Sequence, residues 1–414
     1  MRHLYLLTIV FAGFLASGQD TISVLSYNIL NYGSGNANKA RYKDLRVLIN
    51  YLKPDAILIS EILDNVAAQL LLDSSFNHGN AGMYARSVFV NGPDTDNTFY
   101  YKTSKFQLKS QTQITTNLRD ISQFQISHVI SPGDTAWLYL HSAHLKAGSG
   151  TTDMDDRQGE VAKFCTAISS IPQNRNVLIG GDFNIRGNND KSYETLTTSS
   201  CSHTFYDPIN QGDYWYSSYA SRFIHTQSTR SSDNPGCCGG ATGGMDDRFD
   251  FILTNNPLTN GTNKLKVIPS SYRAVGNDGN RFNQALIGPT ANSDVPPQVA
   301  QAIFNISDHL PVFCKFEVIP GLVGISNLKK DLPFGLFLSR DEDGIKPFAT
   351  AEESGNYTVI LYNNVGSIVM NEEIYLQKGK NDLSPYLNKV GRGMYIVMLS
   401  YKNQFTWSKV PLNN

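Results

Sequence analysis

The feature that most constrains the fold is a short apolar run that leads directly into a polar motif. Residues Asn176–Gly180 have a continuously apolar centre, which predicts a strand buried on both faces of a sheet. The motif Gly181-Asp182-Phe183-Asn184 follows without an intervening residue. Because glycine lets the backbone approach a ligand closely, we expect Asp182 and Asn184 to project from the edge of that sheet.

Another polar motif, Ser307-Asp308-His309-Leu310-Pro311, leads into a β-rich run that ends near Val318. Asp250 lies inside a further apolar run, Arg248–Thr254. An unpaired carboxylate is costly in such a place, and His309 is its natural partner. Other polar side chains stand at the ends of predicted strands: Asn28, Glu61 and His144.

Helices and strands interleave along residues 21–318, but long β-only stretches separate them. This order predicts an α/β fold with two mixed or antiparallel sheets packed face to face and helices outside, rather than a doubly wound parallel sheet. From about residue 356 the chain contains short β-rich runs, which predict a small β-sandwich. The predicted organisation is a signal peptide (1–18), a main α/β domain (19–318), a linker (319–350) and a C-terminal β-sandwich (351–414).

The first residues have the pattern of a signal peptide. Arg2 and His3 precede an apolar stretch, Leu4–Leu15, and the small residues Ala16-Ser17-Gly18 follow it. The apolar stretch is too short to span a bilayer, and no other segment is apolar enough to do so. We therefore expect an exported protein, secreted or at the cell surface, with no stable membrane span.

The five cysteines include an odd one, so at least one thiol is unpaired. Cys201 is expected to pair with Cys237 or Cys238, whereas Cys165 and Cys314 are expected to be buried apolar residues. The formal net charge of -1 excludes a global basic field of the kind that announces nucleic-acid binding. A local basic groove is still compatible with this charge.

These polar residues suit the hydrolysis of a phosphate ester. Oxygen ligands of the kind that Mg²⁺ prefers are present at Asn28, Glu61 and Asp308, although each alone is more typical of a turn or cap. Asp182 is suited to orient and activate the attacking water, with Asn184 holding a phosphoryl oxygen. His309 is suited to stabilise the developing charge or to transfer a proton. His144 is either a general acid, a phosphate hydrogen-bond donor or a structural histidine.

Six motifs follow one another along the chain: Ser26-Tyr27-Asn28, Ser60-Glu61, His141-Ser142-Ala143-His144-Leu145, Gly181-Asp182-Phe183-Asn184, Arg248-Phe249-Asp250-Phe251-Ile252 and Ser307-Asp308-His309-Leu310-Pro311. In this order they resemble the endonuclease/exonuclease/phosphatase family, which includes DNase I, AP endonucleases and bacterial sphingomyelinases. The resemblance covers about residues 21–318 and implies a four-layered α/β sandwich with two central β-sheets flanked by helices. It also implies Mg²⁺-dependent hydrolysis, with Mn²⁺ or Ca²⁺ as alternatives, metal binding by Asn28, Glu61 and Asp308, and catalysis by His144, Asp182, Asn184 and the Asp250–His309 pair.

Two other segments bear on the choice of substrate and on the export of the protein. Ser202–Met245 has no counterpart in this resemblance, and its tyrosines and Trp215 either pack against the core or stack on bases or sugars. Tyr357–Gly366 and Gly393–Val397 resemble the sorting domain of type IX secretion cargo, which implies contact with that secretion machinery.

The interpretation favoured by these patterns is an exported phosphodiesterase that acts on nucleic acid. The same groups would serve a phospholipid diester, as in sphingomyelinases, or a phosphate monoester. A catalytically silent binding module is disfavoured because every expected polar group is present. Neither the fold class nor the composition decides among these substrates.

Overall fold

The computed structural model describes residues 20–35, 40–131, 133–211, 214–232, 239–320, 333–341, 344–364, 366–402 and 404–412. It divides into two compact units, with the boundary between Ile319 and Pro320. The predicted signal peptide, residues 1–18, lies outside the described residues. Within the described ranges, every helix is too short or too polar to cross a bilayer.

Two six-stranded sheets form the first unit, and each is mixed. Parallel pairing occurs between β1 and β2 in one sheet and between β7 and β8 in the other, with antiparallel neighbours around them. The sheet orders are β11-β12-β1-β2-β4-β3 and β5-β6-β7-β8-β10-β9. The strands are β1 (Thr21–Tyr32), β2 (Ala56–Ile62), β3 (Tyr84–Arg86), β4 (Asp96–Lys102), β5 (Gln107–Ile114), β6 (Ile121–Ser131), β7 (Asp134–His144), β8 (Asn176–Asp182), β9 (Phe205–Tyr206), β10 (Asp250–Asn255), β11 (Leu265–Ala274) and β12 (Val312–Val318).

Helices cover the outer faces of these sheets. Each outer helix turns an apolar stripe inward, as Leu45, Leu48 and Ile49 do. One of these helices begins after Asp64, where the Asp64 carboxylate accepts a hydrogen bond from the backbone N–H of Ala67 at 2.7 Å. The helices are α1 (Tyr42–Leu52), α2 (Asn65–Leu71), α3 (Thr151–Ala167), α4 (Lys191–Thr197), α5 (Asn256–Asn260) and α6 (Pro297–Ile306).

Three apolar clusters show the layering. One cluster lies between the two sheets and includes Leu58 from β2 and Leu178 from β8. A second joins the first sheet to α1 and α6, and a third joins the second sheet to α3. The predicted class, two central sheets with helices outside, is confirmed. Strands such as β8 are continuously apolar because both of their faces are covered.

The second unit is built from two antiparallel sheets, ordered β13-β14-β17 and β16-β15-β18-β19. Alternating residues of both sheets, such as Leu336 and Val359, fill one apolar core. The elements are β13 (Phe334–Asp341), β14 (Gly344–Ala351), β15 (Gly355–Tyr362), β16 (Ile368–Leu376), β17 (Gly379–Asp382), β18 (Gly393–Tyr401), β19 (Gln404–Leu412) and the short helix α7 (Ser384–Leu387).

The segment predicted as a linker, residues 319–350, contains β13 and most of β14, so this prediction is wrong for residues 334–350. Pro347 argues against a strand in the sequence because proline donates no ladder hydrogen bond. In the structure Pro347 pairs with Leu338, and β17 pairs only with the following residues Phe348–Ala351. The proline therefore lies where β14 has no ladder partner in β17, so its missing N–H costs no hydrogen bond between these strands.

The predicted cysteine pairing is also corrected. Cys165, on α3, forms a disulfide with Cys201, whereas Cys314 is free and buried as expected. Cys237 and Cys238 lie outside the described residues. The sequence placed Cys165 on the buried face of a helix, and that burial is what brings it against the segment that carries Cys201.

Removing this disulfide should destabilise the first unit. The bond closes a loop with a sequence separation of 36 residues, which corresponds to about 3–4 kcal/mol of restricted unfolded-chain entropy. We expect the Cys201→Ala variant to lose about that free energy of unfolding in urea denaturation, and wild type in reductant to lose a similar amount. If reductant lowers the stability of the variant as much as that of wild type, the effect does not come from this bond.

Candidate active site

Three neighbouring strands of the second sheet each place a polar side chain at the same position. Asp182, at the end of β8, is opposite His144 on β7 and opposite Asp250 on β10. All three residues are at most 4 % exposed. Sequence separates them by tens of residues, and only the strand register brings them into one row.

Gly181 makes this row possible. Its φ of +149° is unfavourable for a residue with a side chain, and a Cβ here would lie 1.8 Å from the carbonyl oxygen of Ala143 on β7. The glycine therefore allows β7 and β8 to stay paired up to His144 and Asp182.

The first sheet contributes Asn28 and Glu61 from an irregular end of β1 and β2. The pairing of these strands shifts register after Asn28, and Leu30, Asn31 and Glu61 all have positive φ angles. Positive φ is costly for side chains other than glycine, and such strain concentrates at functional sites. The Glu61 carboxylate accepts from Asn28 Nδ2 at 2.8 Å and from the backbone N–H of Asn31 at 2.7 Å.

The two groups of residues meet between the sheets. Asn28 Nδ2 donates to Asp182 Oδ2 at 3.1 Å as well as to Glu61, so one amide joins the carboxylates of both sheets. Burial raises the pKa of Asp182; the positive charge of His309 lowers it, and the negative charges of Asp250 and Glu61 raise it. A buried carboxylate with this environment is suited to accept a proton near neutral pH.

His309 and Asp250 form the predicted pair. His309 Nδ1 lies 2.8 Å from Asp250 Oδ2, and its Nε2 lies 3.6 Å from Asp182 Oδ2. Burial alone would lower the pKa of His309, but the charges of Asp250, Asp308 and Asp182 raise it well above its usual value. The protonated form of His309 is therefore favoured, and its ring is oriented by Asp250 and directed towards Asp182, as needed to stabilise an anionic transition state.

A divalent cation fits beside this row. Single ligand atoms of Glu61, His144 and Asp182 lie within 4.8 Å of one another. Burial lowers the pKa of His144 well below its usual value, with Arg119 and His309 adding to the effect, so its imidazole is neutral and has a nitrogen lone pair to offer. Two buried carboxylates held together by a single amide would gain from a positive charge, and carboxylate oxygen is the preferred ligand of hard cations.

Asp308, the third predicted metal ligand, is not part of that group. It is buried, and its Oδ2 accepts from the backbone N–H of Ala241 at 2.6 Å and from Gln227 Nε2 at 3.1 Å. The same Gln227 nitrogen lies 2.6 Å from His309 Nε2. Gln227 thus joins Asp308 to His309, and nothing in its sequence context predicted a place in the site.

Asn184 lies next to Asp182 in a left-handed conformation, with φ of +53°, which asparagine tolerates better than most residues. Its backbone N–H donates to Asp182 Oδ1 at 3.0 Å, and its side-chain Nδ2 donates to the Leu145 carbonyl at 3.1 Å. These bonds hold the loop after β8 against the end of β7. All five predicted catalytic residues therefore lie at one end of the two sheets, together with Asn28 and Glu61.

The tyrosine-rich segment places one aromatic side chain in the core, as one of the two alternatives predicted, and leaves others exposed. Trp215 packs in the core, 1 % exposed, and its indole N–H donates to the Ile185 carbonyl at 2.9 Å. Tyr214 and Tyr219 are instead 52 % and 62 % exposed. Arg186, two residues after Asn184, places its guanidinium 4.0 Å from the centre of the Tyr216 ring, and the sequence analysis did not select it.

Solved structures with a similar chain trace are distant in sequence. A humanised TDP2 from D. rerio is 16% identical, with 72% of this chain and 99% of that chain covered and a TM-score of 0.47. An endonuclease/exonuclease/phosphatase from Bacteroides vulgatus is 15% identical, over 73% and 100% of the two chains, with a TM-score of 0.46. The human Nocturnin catalytic domain is 17% identical, over 73% and 98%, with a TM-score of 0.43.

No curated protein matches the chain. A family model does match, over residues 25–309, and this range includes every residue of the row and of the pair described above. The chain therefore belongs to the Endonuclease/Exonuclease/phosphatase family and is a phosphoric ester hydrolase.

Proposed function

We propose that this protein is an exported, Mg²⁺-dependent phosphodiesterase that hydrolyses nucleic acid. The observation that carries the proposal is the position of Asp182, which lies 3.6 Å from the Nε2 atoms of both His144 and His309 and 3.1 Å from Asn28 Nδ2. One buried carboxylate thus faces a neutral imidazole, a cationic imidazole and an amide. This set suits in-line attack of water on phosphorus.

Each residue has a distinct role in this proposal. Asp182 accepts the proton of the attacking water. His309, oriented by Asp250, stabilises the negative charge on the phosphoryl oxygens, and Asn184 binds a phosphoryl oxygen. Because His144 is neutral, it is better suited to donate a hydrogen bond to phosphate, or to bind metal, than to act as a general acid.

The cation would be held by Glu61 with Asn28 beside it, and Asp308 stays a predicted ligand. When bound, Mg²⁺ would neutralise phosphate charge and stabilise the leaving oxygen. The Glu61 carboxylate supports this assignment, since it accepts hydrogen bonds from neutral N–H groups and the one imidazole near it, that of His144 at 3.7 Å, has a lowered pKa. For Asn28 to serve as a ligand, its amide would present oxygen rather than nitrogen, and the two are interchangeable by a flip of the side chain.

A substrate panel tests the proposal. We would assay plasmid DNA, RNA, bis(p-nitrophenyl) phosphate, sphingomyelin vesicles and p-nitrophenyl phosphate, each with Mg²⁺ and with EDTA. The expected result is cleavage of a nucleic acid and of the small diester with Mg²⁺ only. Hydrolysis of sphingomyelin or of the monoester alone would contradict the nucleic-acid assignment, and activity that survives EDTA would contradict the metal dependence.

Export and sorting are part of the same proposal. The Cys165–Cys201 disulfide supports export, because disulfides persist mainly in oxidising compartments. The paired sheets of the second unit support its assignment as a type IX sorting domain. Mass spectrometry of the culture supernatant and cell surface should find a protein that lacks residues 1–18. Recovery of the full-length chain from the cytoplasm alone would contradict export.

A further inference from the structure

We propose that Arg186, Tyr214 and Tyr216 form a subsite that binds one unpaired nucleotide of single-stranded nucleic acid beside the active site. The guanidinium would bind the phosphate of that nucleotide, and the exposed ring of Tyr214 would stack on its base. The inference rests on the proposed function, because it names the form of nucleic acid that the site accepts.

Backbone hydrogen bonds join the subsite to the loop after β8, which carries Asn184. The Arg186 carbonyl accepts hydrogen bonds from the backbone N–H groups of Trp215 at 3.3 Å and Tyr216 at 3.1 Å. Trp215 anchors this contact, since its buried indole bonds to the residue before Arg186. Tyr214 and Tyr216, on either side of Trp215, are therefore held next to the segment that begins at Asn184.

Arg186 is available to an anion. Among the residues that the structure describes, its side chain makes neither a hydrogen bond nor an ion pair, and its guanidinium lies on the face of the Tyr216 ring. Other arginines of this unit behave differently: Arg157 and Arg248 are buried in ion pairs with Asp190 and Asp207. A planar guanidinium on an aromatic face keeps its N–H groups free to bind phosphate in a bidentate way.

Two carboxyl groups lie near enough to Arg186 to interact with its charge. Burial raises the pKa of Asp246 above its usual value and that of Asp247 to about 7, although Arg186 acts in the opposite direction on both. The negative charge of Asp247 near neutral pH is consequently smaller than that of an exposed aspartate. The two carboxyl groups reduce the positive potential at Arg186. Neither forms an ion pair with Arg186 that an incoming phosphate would have to displace.

Tyr214 presents the stacking surface. It is 52 % exposed, and its ring centre lies 6.1 Å from that of Tyr216 in an edge-on arrangement. Gly187 is necessary for this position, because a Cβ there would lie 2.8 Å from Tyr214 Cδ2. An exposed ring beside a guanidinium is a combination that binds single strands, whose bases have open faces, whereas the bases of a duplex are stacked on each other.

The test is equilibrium binding of fluorescent oligonucleotides in EDTA, where turnover does not interfere. Short oligothymidylate and oligouridylate report DNA and RNA, and a duplex of the same length reports double-stranded binding. We expect Tyr214→Ala and Arg186→Ala each to weaken single-strand affinity about tenfold, in the range of one lost base stack or phosphate contact. Tyr214→Phe, which keeps the ring, should retain the affinity of wild type.

A matched control is Tyr51→Ala, which removes another exposed aromatic side chain from the end of α1, 40 % exposed against 52 % for Tyr214. Asp55, which follows α1, bonds to Ser23 near the start of β1, whereas the site residue Asn28 lies in the second half of that strand. Tyr51 is therefore distant from the active site. This variant should bind like wild type. Unchanged affinity in both test variants, an equal loss for the duplex, or an equal loss in Tyr51→Ala would overturn the subsite.

Failure of the subsite and failure of the proposed function have different signatures. An enzyme that hydrolyses bis(p-nitrophenyl) phosphate but binds neither single strand leaves phosphodiester hydrolysis intact and overturns the subsite. Single-strand binding that depends on Tyr214, without cleavage of any diester, supports the subsite and overturns the proposed function.

Discussion

The Asp182→Asn variant should lose about a thousandfold in kcat on a phosphodiester, within the range expected for removal of a general base. The carboxylate is 2 % exposed, and the imidazoles of His144 and His309 and the amide of Asn28 converge on it. Asparagine has nearly the same shape but accepts no proton from water. Initial rates with bis(p-nitrophenyl) phosphate at saturating Mg²⁺ would measure the effect.

The stability of this variant is the internal control. Because burial raises the pKa of Asp182 above its usual 3.8, the ionised carboxylate is less stable in the folded than in the unfolded chain. The variant should therefore equal wild type at a pH well below 3.8 and be the more stable of the two at pH 8, in urea denaturation with EDTA. A kcat within about tenfold of wild type would remove Asp182 from the role of base.

His309→Ala should lower kcat by about a hundredfold or more, as for other groups that stabilise transition-state charge. The imidazole is held as a cation by Asp250 and faces Asp182, and alanine leaves that position empty. Because Asp250 acts through His309, adding Asp250→Asn to His309→Ala should cost little further activity, whereas Asp250→Asn alone should reduce kcat.

The exposed His78 offers a control, since His78→Ala removes an imidazole from outside the site. This variant should keep the kcat of wild type. If the two losses at His309 and Asp250 multiply in the double variant, the residues act independently and the pair does not function as one unit. Near-normal turnover in His309→Ala would exclude it from charge stabilisation.

Much of the fold was predictable because its signal is local. Continuous apolar runs such as Asn176–Gly180 predicted strands that are covered on both faces, and β8 confirms this. Helix limits were likewise marked by single residues, as Asp64 caps α2. The linker prediction failed for residues 334–350 because strand pairing is a non-local property. Pro347 is tolerated in β14 since β17 pairs only with the residues that follow it.

The residues of the site were also selected from sequence, since each stands where an apolar strand ends. Apart from the Asp250–His309 pair, their mutual geometry was not predicted from the sequence. The sequence did not show that ligand atoms of Glu61, His144 and Asp182 would lie within 4.8 Å of one another. It also missed Gln227, whose contacts with Asp308 and His309 depend on a loop that bears no motif.

By itself, the sequence determined which segments are buried strands, which polar side chains end them, and to which family the ordered motifs belong. These are properties of short stretches of chain and of residue chemistry. The tertiary structure alone decided that His144, Asp182 and Asp250 form one row, that Cys165 meets Cys201, and that the Arg186 guanidinium lies on the ring of Tyr216. Each of these depends on strand register or packing between segments distant in the chain, and residue spacing carries no information about either.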